Sequence, residues 1–247
     1  MKRLMPIFIV ILLSGCGILT AYAPNMLSMI VVAVMGVVVL LGIIYGLIPV
    51  LTFTQGLLTG QKSIQRASEA EEKSVWITAL QMDRFFRQKK MDQLFREYRD
   101  KVKQQRQNGQ IVSDLEDILN EDVLALYSWQ GVVAQIPGTL TGLGILGTFI
   151  GLLRGLRNIN FVTVEAALSS VQSILTGIDI AFYTSIAGVI LSILFNISNN
   201  ILRNTMDREM GIFLEVFHRV VLPTTQEQER YRSRRETRQI MDLLDRL

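Results

Sequence analysis

Charged side chains divide this chain into blocks. From Leu4 to Gln61 there is none in 58 consecutive positions, whereas a helix needs only about 20 apolar residues to cross a bilayer. Within that block Pro24-Asn25 supplies a turn between two apolar stretches, Met5 to Tyr22 and Leu27 to Phe53. The pattern there predicts a hairpin of two spans. A second uncharged run covers Val123 to Leu153, and a third covers Ala166 to Leu202 apart from Asp179. Together the runs predict an all-α polytopic membrane protein with about four transmembrane helices.

The intervening segment reads differently. Residues 62–122 hold 12 acidic and 12 basic side chains, while Met91, Leu94, Phe95, Tyr98 and Val102 recur at helical spacing, the mark of amphipathic helices outside the bilayer. Asn108-Gly109 breaks this region. Ser113, with Glu116 three residues on, reads as a capping box opening a helix that feeds the third span. Pro137 would kink that helix, and Arg154 and Arg157 mark its outer end. Thr163 reads as the N-cap of a fourth helix that runs past Asn199, about 50 Å and longer than a bilayer is thick. Ile240, Leu243, Leu244 and Leu247 form a stripe with no C-cap after it, as expected of a tail that continues or pairs. Four regions follow: an N-terminal transmembrane hairpin (1–56), a helical region outside the membrane (57–130), a channel-forming helix pair (131–202) and a helical tail (203–247).

Composition adds polarity and exclusions. The chain is 49% apolar with a net charge of +3. Twelve Lys and Arg lie between Lys62 and Arg106, and nine Arg lie from Arg203 onward. Both blocks flank spans, so the positive-inside rule places the loop and the C-terminal tail in the cytoplasm. Basic residues in two blocks rather than on one face do not suit direct nucleic-acid binding. A lone cysteine, Cys16, excludes an internal disulfide, and a lone histidine, His218, leaves little material for a metal site. No catalytic residues and no cofactor are expected. Leu13-Ser14-Gly15-Cys16 also has the form of a lipoprotein signal box, and Ala21-Tyr22-Ala23 that of a signal-peptidase site, so a cleaved leader competes with the first span.

One motif invites a nucleotide reading. Residues 142–147, Gly-Leu-Gly-Ile-Leu-Gly, fit the dinucleotide fingerprint, but a working phosphate loop follows a strand and leaves free N–H groups at a solvated anion. These glycines fall inside an uncharged run of 31 residues, where backbone N–H groups are satisfied within the helix. Packing is the better reason for them. Thr141, Gly144, Thr148, Gly151 and Gly155 are spaced 3, 4, 3 and 4, one narrow stripe that also has Gly147 beside it. Ser173, Gly177, Ala181, Thr184, Gly188 and Ser192 form a matching face on the next helix. Small residues let helices approach closely in lipid.

Packing alone leaves Asp179 unexplained, since a carboxylate at membrane depth costs roughly 3 kcal/mol and is kept against a partner or a wet path. It lies about 140° around the helix from Thr184. Two arrangements satisfy this: Thr184 faces a lumen while Asp179 faces an adjacent subunit, or Asp179 makes an interhelix hydrogen bond.

At these residues the chain resembles the MotA/TolQ/ExbB family of ion-channel subunits, from about Pro137 to Asn199. Gly-Leu-Gly-Ile-Leu-Gly-Thr-Phe-Ile-Gly-Leu, residues 142–152, is similar to the family's Gly-Leu-x-Gly-Thr-x-x-Gly segment, with its pore threonine at Thr148. Asp179-Ile-Ala-Phe-Tyr-Thr-Ser-Ile-Ala-Gly, ending at Gly188, resembles the next-helix pattern of an acid, four positions, a threonine and a nearby glycine. The spacing from Thr148 to Thr184 is a few residues longer than in TolQ-like members, and the two-span N-terminus is more like MotA. The wording of residues 136–152 is most similar to the ZorA-like branch, the membrane subunits of Zorya anti-phage defence.

The resemblance implies a homopentamer in the bacterial inner membrane around the single-span helices of two MotB/ExbD/TolR/ZorB-like partners, each carrying the ion-binding aspartate. It implies an ion pathway at Thr148 and Thr184, with Thr141 and Ser185 beside them, and Gly144, Gly147, Gly151, Gly155, Gly177 and Gly188 in helix packing. The expected function is a stator-type motor subunit driven by protons, with sodium the alternative, acting on an unknown cytoplasmic effector. A passive oligomeric scaffold and a flagellar or Tol/Exb-type energiser are the other readings.

Overall fold

The structure is a computed structural model that describes residues 5–69, 82, 84–108, 112–157, 159, 162–220, 233, 237 and 241. Among them there are helices, turns and no strand. Helix α1 (Met5–Ala21) is joined at Pro24-Asn25 to α2 (Met26–Gly42). A π-helical turn at Ile43–Leu47 leads without a break into α3 (Ile48–Glu69). Then come α4 (Lys89–Gln107), a 3-10 turn at Leu115–Asp117, α5 (Glu121–Tyr127), α6 (Gln130–Val133), α7 (Ile136–Leu156) and α8 (Val164–Val220).

Among the described residues, three stretches are long and apolar enough to cross a membrane: Met26–Arg66, Gln130–Leu156 and Val164–Arg219. Helix α1 is a shorter apolar helix of 17 residues, at the lower end of what a crossing needs. The lipoprotein-like sequence around Cys16 lies within it.

The approach to the third span differs from the sequence expectation. Ser113 is not the cap: its Oγ accepts from Gln105 Nε2 at 2.6 Å, its N–H donates to Gln105 Oε1 at 2.8 Å and its carbonyl accepts from the Tyr98 hydroxyl at 3.2 Å. Asp114 takes the capping role, its Oδ1 accepting from Glu116 N–H at 3.1 Å, and Asn120 Oδ1 caps α5 through Val123 N–H at 2.9 Å. The helix expected to feed the span is interrupted at Trp129, whose φ of 51° is left-handed. Pro137 then falls in the first turn of α7. Its missing N–H would be unpaired there anyway, so it starts the helix and does not kink it. Thr163 caps α8 by accepting from Ala166 N–H at 3.1 Å. At 57 residues, α8 is about 86 Å long.

The chain forms two compact units, Met1–Leu51 with Ala125–Asn204, and Thr52–Leu124 with Thr205–Leu247. The core of the first gathers side chains from α2, the π-helical turn, α7 and the apolar part of α8, among them Met35, Val39, Leu47, Leu140, Leu191 and Phe195, with α1 tied in where Tyr183 OH donates to the Leu19 carbonyl. The core of the second is aromatic. Phe85, Phe86, Phe95, Tyr98, Phe213 and Phe217 are all buried, and Phe85 stacks on Phe95 at a ring separation of 4.4 Å. The amphipathic positions Met91, Leu94, Phe95, Tyr98 and Val102 are buried in this unit. The stripe Ile240, Leu243, Leu244 and Leu247 lies outside the described residues.

Candidate functional site: the seam between α7 and α8

Glycines bring α7 and α8 together backbone to backbone. Gly144, Gly147, Gly151 and Gly155 are all buried on one side of α7, spaced 3, 4 and 4. A Cβ placed on Gly151 would lie 2.7 Å from the Gly177 carbonyl oxygen and 2.8 Å from the Ala181 nitrogen. One on Gly177 would lie 2.7 Å from Gly155 Cα, and one on Gly188 would lie 2.7 Å from the Leu140 carbonyl oxygen. These obstacles are main chain, which cannot swing aside as a side chain can. The dinucleotide-like residues 142–147 are helical throughout, so their N–H groups are spent inside the helix.

The threonines occupy different places from those the stripe suggested. Thr184 is 0% exposed and points at α7, where a Cβ on Gly147 would sit 2.6 Å from its own Cβ. Its hydroxyl donates to the Ile180 carbonyl at 2.9 Å. Thr184 therefore does not face a lumen: it is sealed inside the seam of its own chain, because the glycine opposite it leaves a hole of the right size. Gly147, not Thr148, completes the α7 face.

Thr148 stands beside that face, half-buried, with its hydroxyl donating to the Ile145 carbonyl at 2.6 Å. Thr141, one heptad earlier, is also half-buried and donates to the Pro137 carbonyl at 3.1 Å. Ser185 is half-buried on α8, its Cα 3.4 Å from where a Cβ on Gly144 would be. Donation back to the helix leaves the threonine oxygens as acceptors, able to receive a water or solvate a cation.

Asp179 is exposed. It shares the outward face of α8, at spacings of 4, 3 and 4, with Leu175, Phe182 and Ile186, which are 60%, 66% and 57% exposed. The structure thus places the carboxylate and Thr184 on different sides of the helix.

Two arrangements differ from what the stripe of small residues singled out. The seam follows glycine alone, at 144, 147, 151 and 155, and reading the glycines without the threonines finds it. In the second unit the lone histidine meets a residue far away in sequence: His218 Nε2 lies 2.5 Å from Asp114 Oδ2.

Residues 12–205 match the family model of the anti-phage protein ZorA of the Zorya type I system. The chain belongs to this ZorA family. Zorya protein ZorA of Escherichia coli strain Crooks is 45% identical over 60 residues, covering 24% of this chain and 10% of that protein. The ZorA of Escherichia coli O139:H28 strain E24377A is 43% identical over 60 residues, covering 24% of this chain and 8% of that protein. The chain thus spans about a tenth of the length of the curated relatives it matches. The family match includes α7, the seam and α8 as far as residue 205.

Proposed function

We propose that this chain is the membrane subunit of an anti-phage defence complex, in which an ion gradient across the bacterial inner membrane drives motion against a single-span partner. The observation that carries the reading is Asp179. It is the one charge between Ala166 and Leu202 and it lies on an exposed apolar face. Against acyl chains it would cost roughly 3 kcal/mol. An assembly that covers this face with protein or a water-filled path removes that cost.

Five copies enclose two partner helices, with four helices of each copy in the bilayer and the loop and tail in the cytoplasm. Thr148, Thr141 and Ser185, half-buried within one chain, line the pathway and offer hydroxyl oxygens to a proton-carrying water chain. The α7 stripe contains no carboxylate, which supports a titrating acid supplied by a ZorB-like partner. Neutralising that acid lets the ring step around the two-helix axle, and each charge crossing 100 mV supplies about 2.3 kcal/mol, enough to bias one step of a packed interface. The work is mechanical, with no covalent catalysis and no cofactor.

The test is proton flux into vesicles holding the chain together with its single-span partner. Thr148→Val keeps the shape and removes the hydroxyl, so flux and phage protection should fall at least tenfold while the complex still assembles. Protection that survives Thr148→Val at full strength would make the chain a passive scaffold. Flux that follows sodium and ignores pH would change the ion.

A further inference from the structure

The second unit draws three metal-ligating side chains together from two separate segments. Asp114 and Glu116 flank the start of the 3-10 turn at Leu115–Asp117, and His218 lies near the end of α8, 16 positions past the uncharged run that ends at Leu202. One donor atom from each lies within 4.8 Å of the others.

The donors are held by their surroundings. Asp114 splits its two oxygens: Oδ1 accepts from Glu116 N–H, which fixes the carboxylate and leaves Oδ2 aimed at the histidine. The backbone on either side is anchored as well, because the Ser113 carbonyl accepts from Tyr98 OH and the Ser113 N–H donates to Gln105. Packing fixes the other arm, with the Phe217 ring 5.9 Å from Tyr98. The His218 and Asp114 side chains are 38% and 34% exposed, but the Nε2 atom itself is shielded and lies 2.5 Å from Asp114 Oδ2 without a well-directed hydrogen bond to it. The neighbouring charges are otherwise engaged: Lys101 pairs with Asp117 at 3.6 Å, and Arg219 pairs with Glu215 at 2.6 Å.

We infer that Asp114, Glu116 and His218 form a binding site for a divalent transition-metal ion, with zinc the best fit, that clasps the 112–117 segment to the end of α8. One imidazole nitrogen and two carboxylate oxygens suit a borderline ion, whereas calcium and magnesium favour oxygen alone. Tetrahedral zinc with ligand distances of about 2.0–2.2 Å puts its donors about 3.4 Å apart. Reaching that spacing opens the Asp114–His218 pair from 2.5 Å, and the other donor pairs start within 4.8 Å. Three protein ligands leave the fourth position to water. The clasp would hold together two stretches of chain 104 positions apart.

The test uses the full chain in detergent, treated with a chelator and titrated with zinc chloride by calorimetry, with amide exchange recorded in parallel. The expected result is one zinc per chain, with added protection confined to residues 112–120 and the end of α8. His218→Ala should weaken binding at least tenfold and remove the protection. Glu116→Gln changes an exposed side chain outside the core, so it keeps the test valid should the histidine variant fold poorly; it should weaken binding by a similar factor with an unchanged melting temperature in chelator. No saturable zinc binding, or binding equal in wild type and Glu116→Gln, would overturn the site and leave an ion pair between Asp114 and His218.

Discussion

At the scale of single residues, one position on a helix separates opposite roles. Gly147 forms the seam and Thr148, its neighbour, stands outside it, because successive helical residues are 100° apart. Tyr98 shows how an environment is set in the same way in the second unit. It is 2% exposed, and burial first, then the charges of Asp114 and Asp117, push its phenol well above the usual tyrosine range. The sign follows from where the proton leaves first. The unfolded chain gives up this proton near pH 10 while the folded chain keeps it, so stability is whole below pH 10 and falls as pH rises beyond it. Melting in detergent should therefore decline above pH 10, and Tyr98→Phe should flatten that decline. A variant with the same alkaline slope as wild type would show that Tyr98 does not cause it.

At the scale of elements, the α7–α8 pair is held by what its side chains omit. Gly151→Ala and Gly177→Ala each place a methyl against main chain, at 2.7 Å or closer. Overpacking of this kind costs about 1–3 kcal/mol or more. Gly211 also lies in α8, but nothing stands within 4 Å of its Cβ position; there the same change should be neutral or stabilise by up to about 1 kcal/mol. Melting temperatures of the three variants check the contrast. Equal effects would mean that helix propensity, and not the seam, governs them. The boundaries at Pro24-Asn25 and Thr163 are legible in the sequence, since both are local signals that act within one turn. The break at Trp129 is not, because a left-handed tryptophan carries no propensity signal.

At the scale of the whole molecule, apolar surface remains on the outward faces of α7 and α8, including Phe149, Leu153, Phe182 and Ile186. Lipid can cover all of it except Asp179. The pentamer proposed above has a direct measure: native mass spectrometry of the chain in mild detergent should give about 140 kDa, five times 27.9 kDa. A species of one chain's mass across a range of detergents would remove the basis for a ring. Asp179→Asn tests the same face. If the carboxylate is covered by a neighbour that pairs with it, the variant should lose subunits; if it faces water, the assembly should survive and only flux should fall.

The sequence by itself determined that this is a helical membrane chain, since uncharged runs of 58, 31 and 37 positions interrupted by one aspartate are properties of a line and need no partner to be read. It also located the small-residue helices and the amphipathic segment, because helical periodicity is local. Only the tertiary structure decided how each helix is rotated. That rotation is set by the neighbour it packs against: it closes Thr184 inside the seam, leaves Thr148 at its edge and turns Asp179 outward. It also decided that the one histidine should meet Asp114 and Glu116, since nothing along the chain links positions so far apart until the fold brings them together.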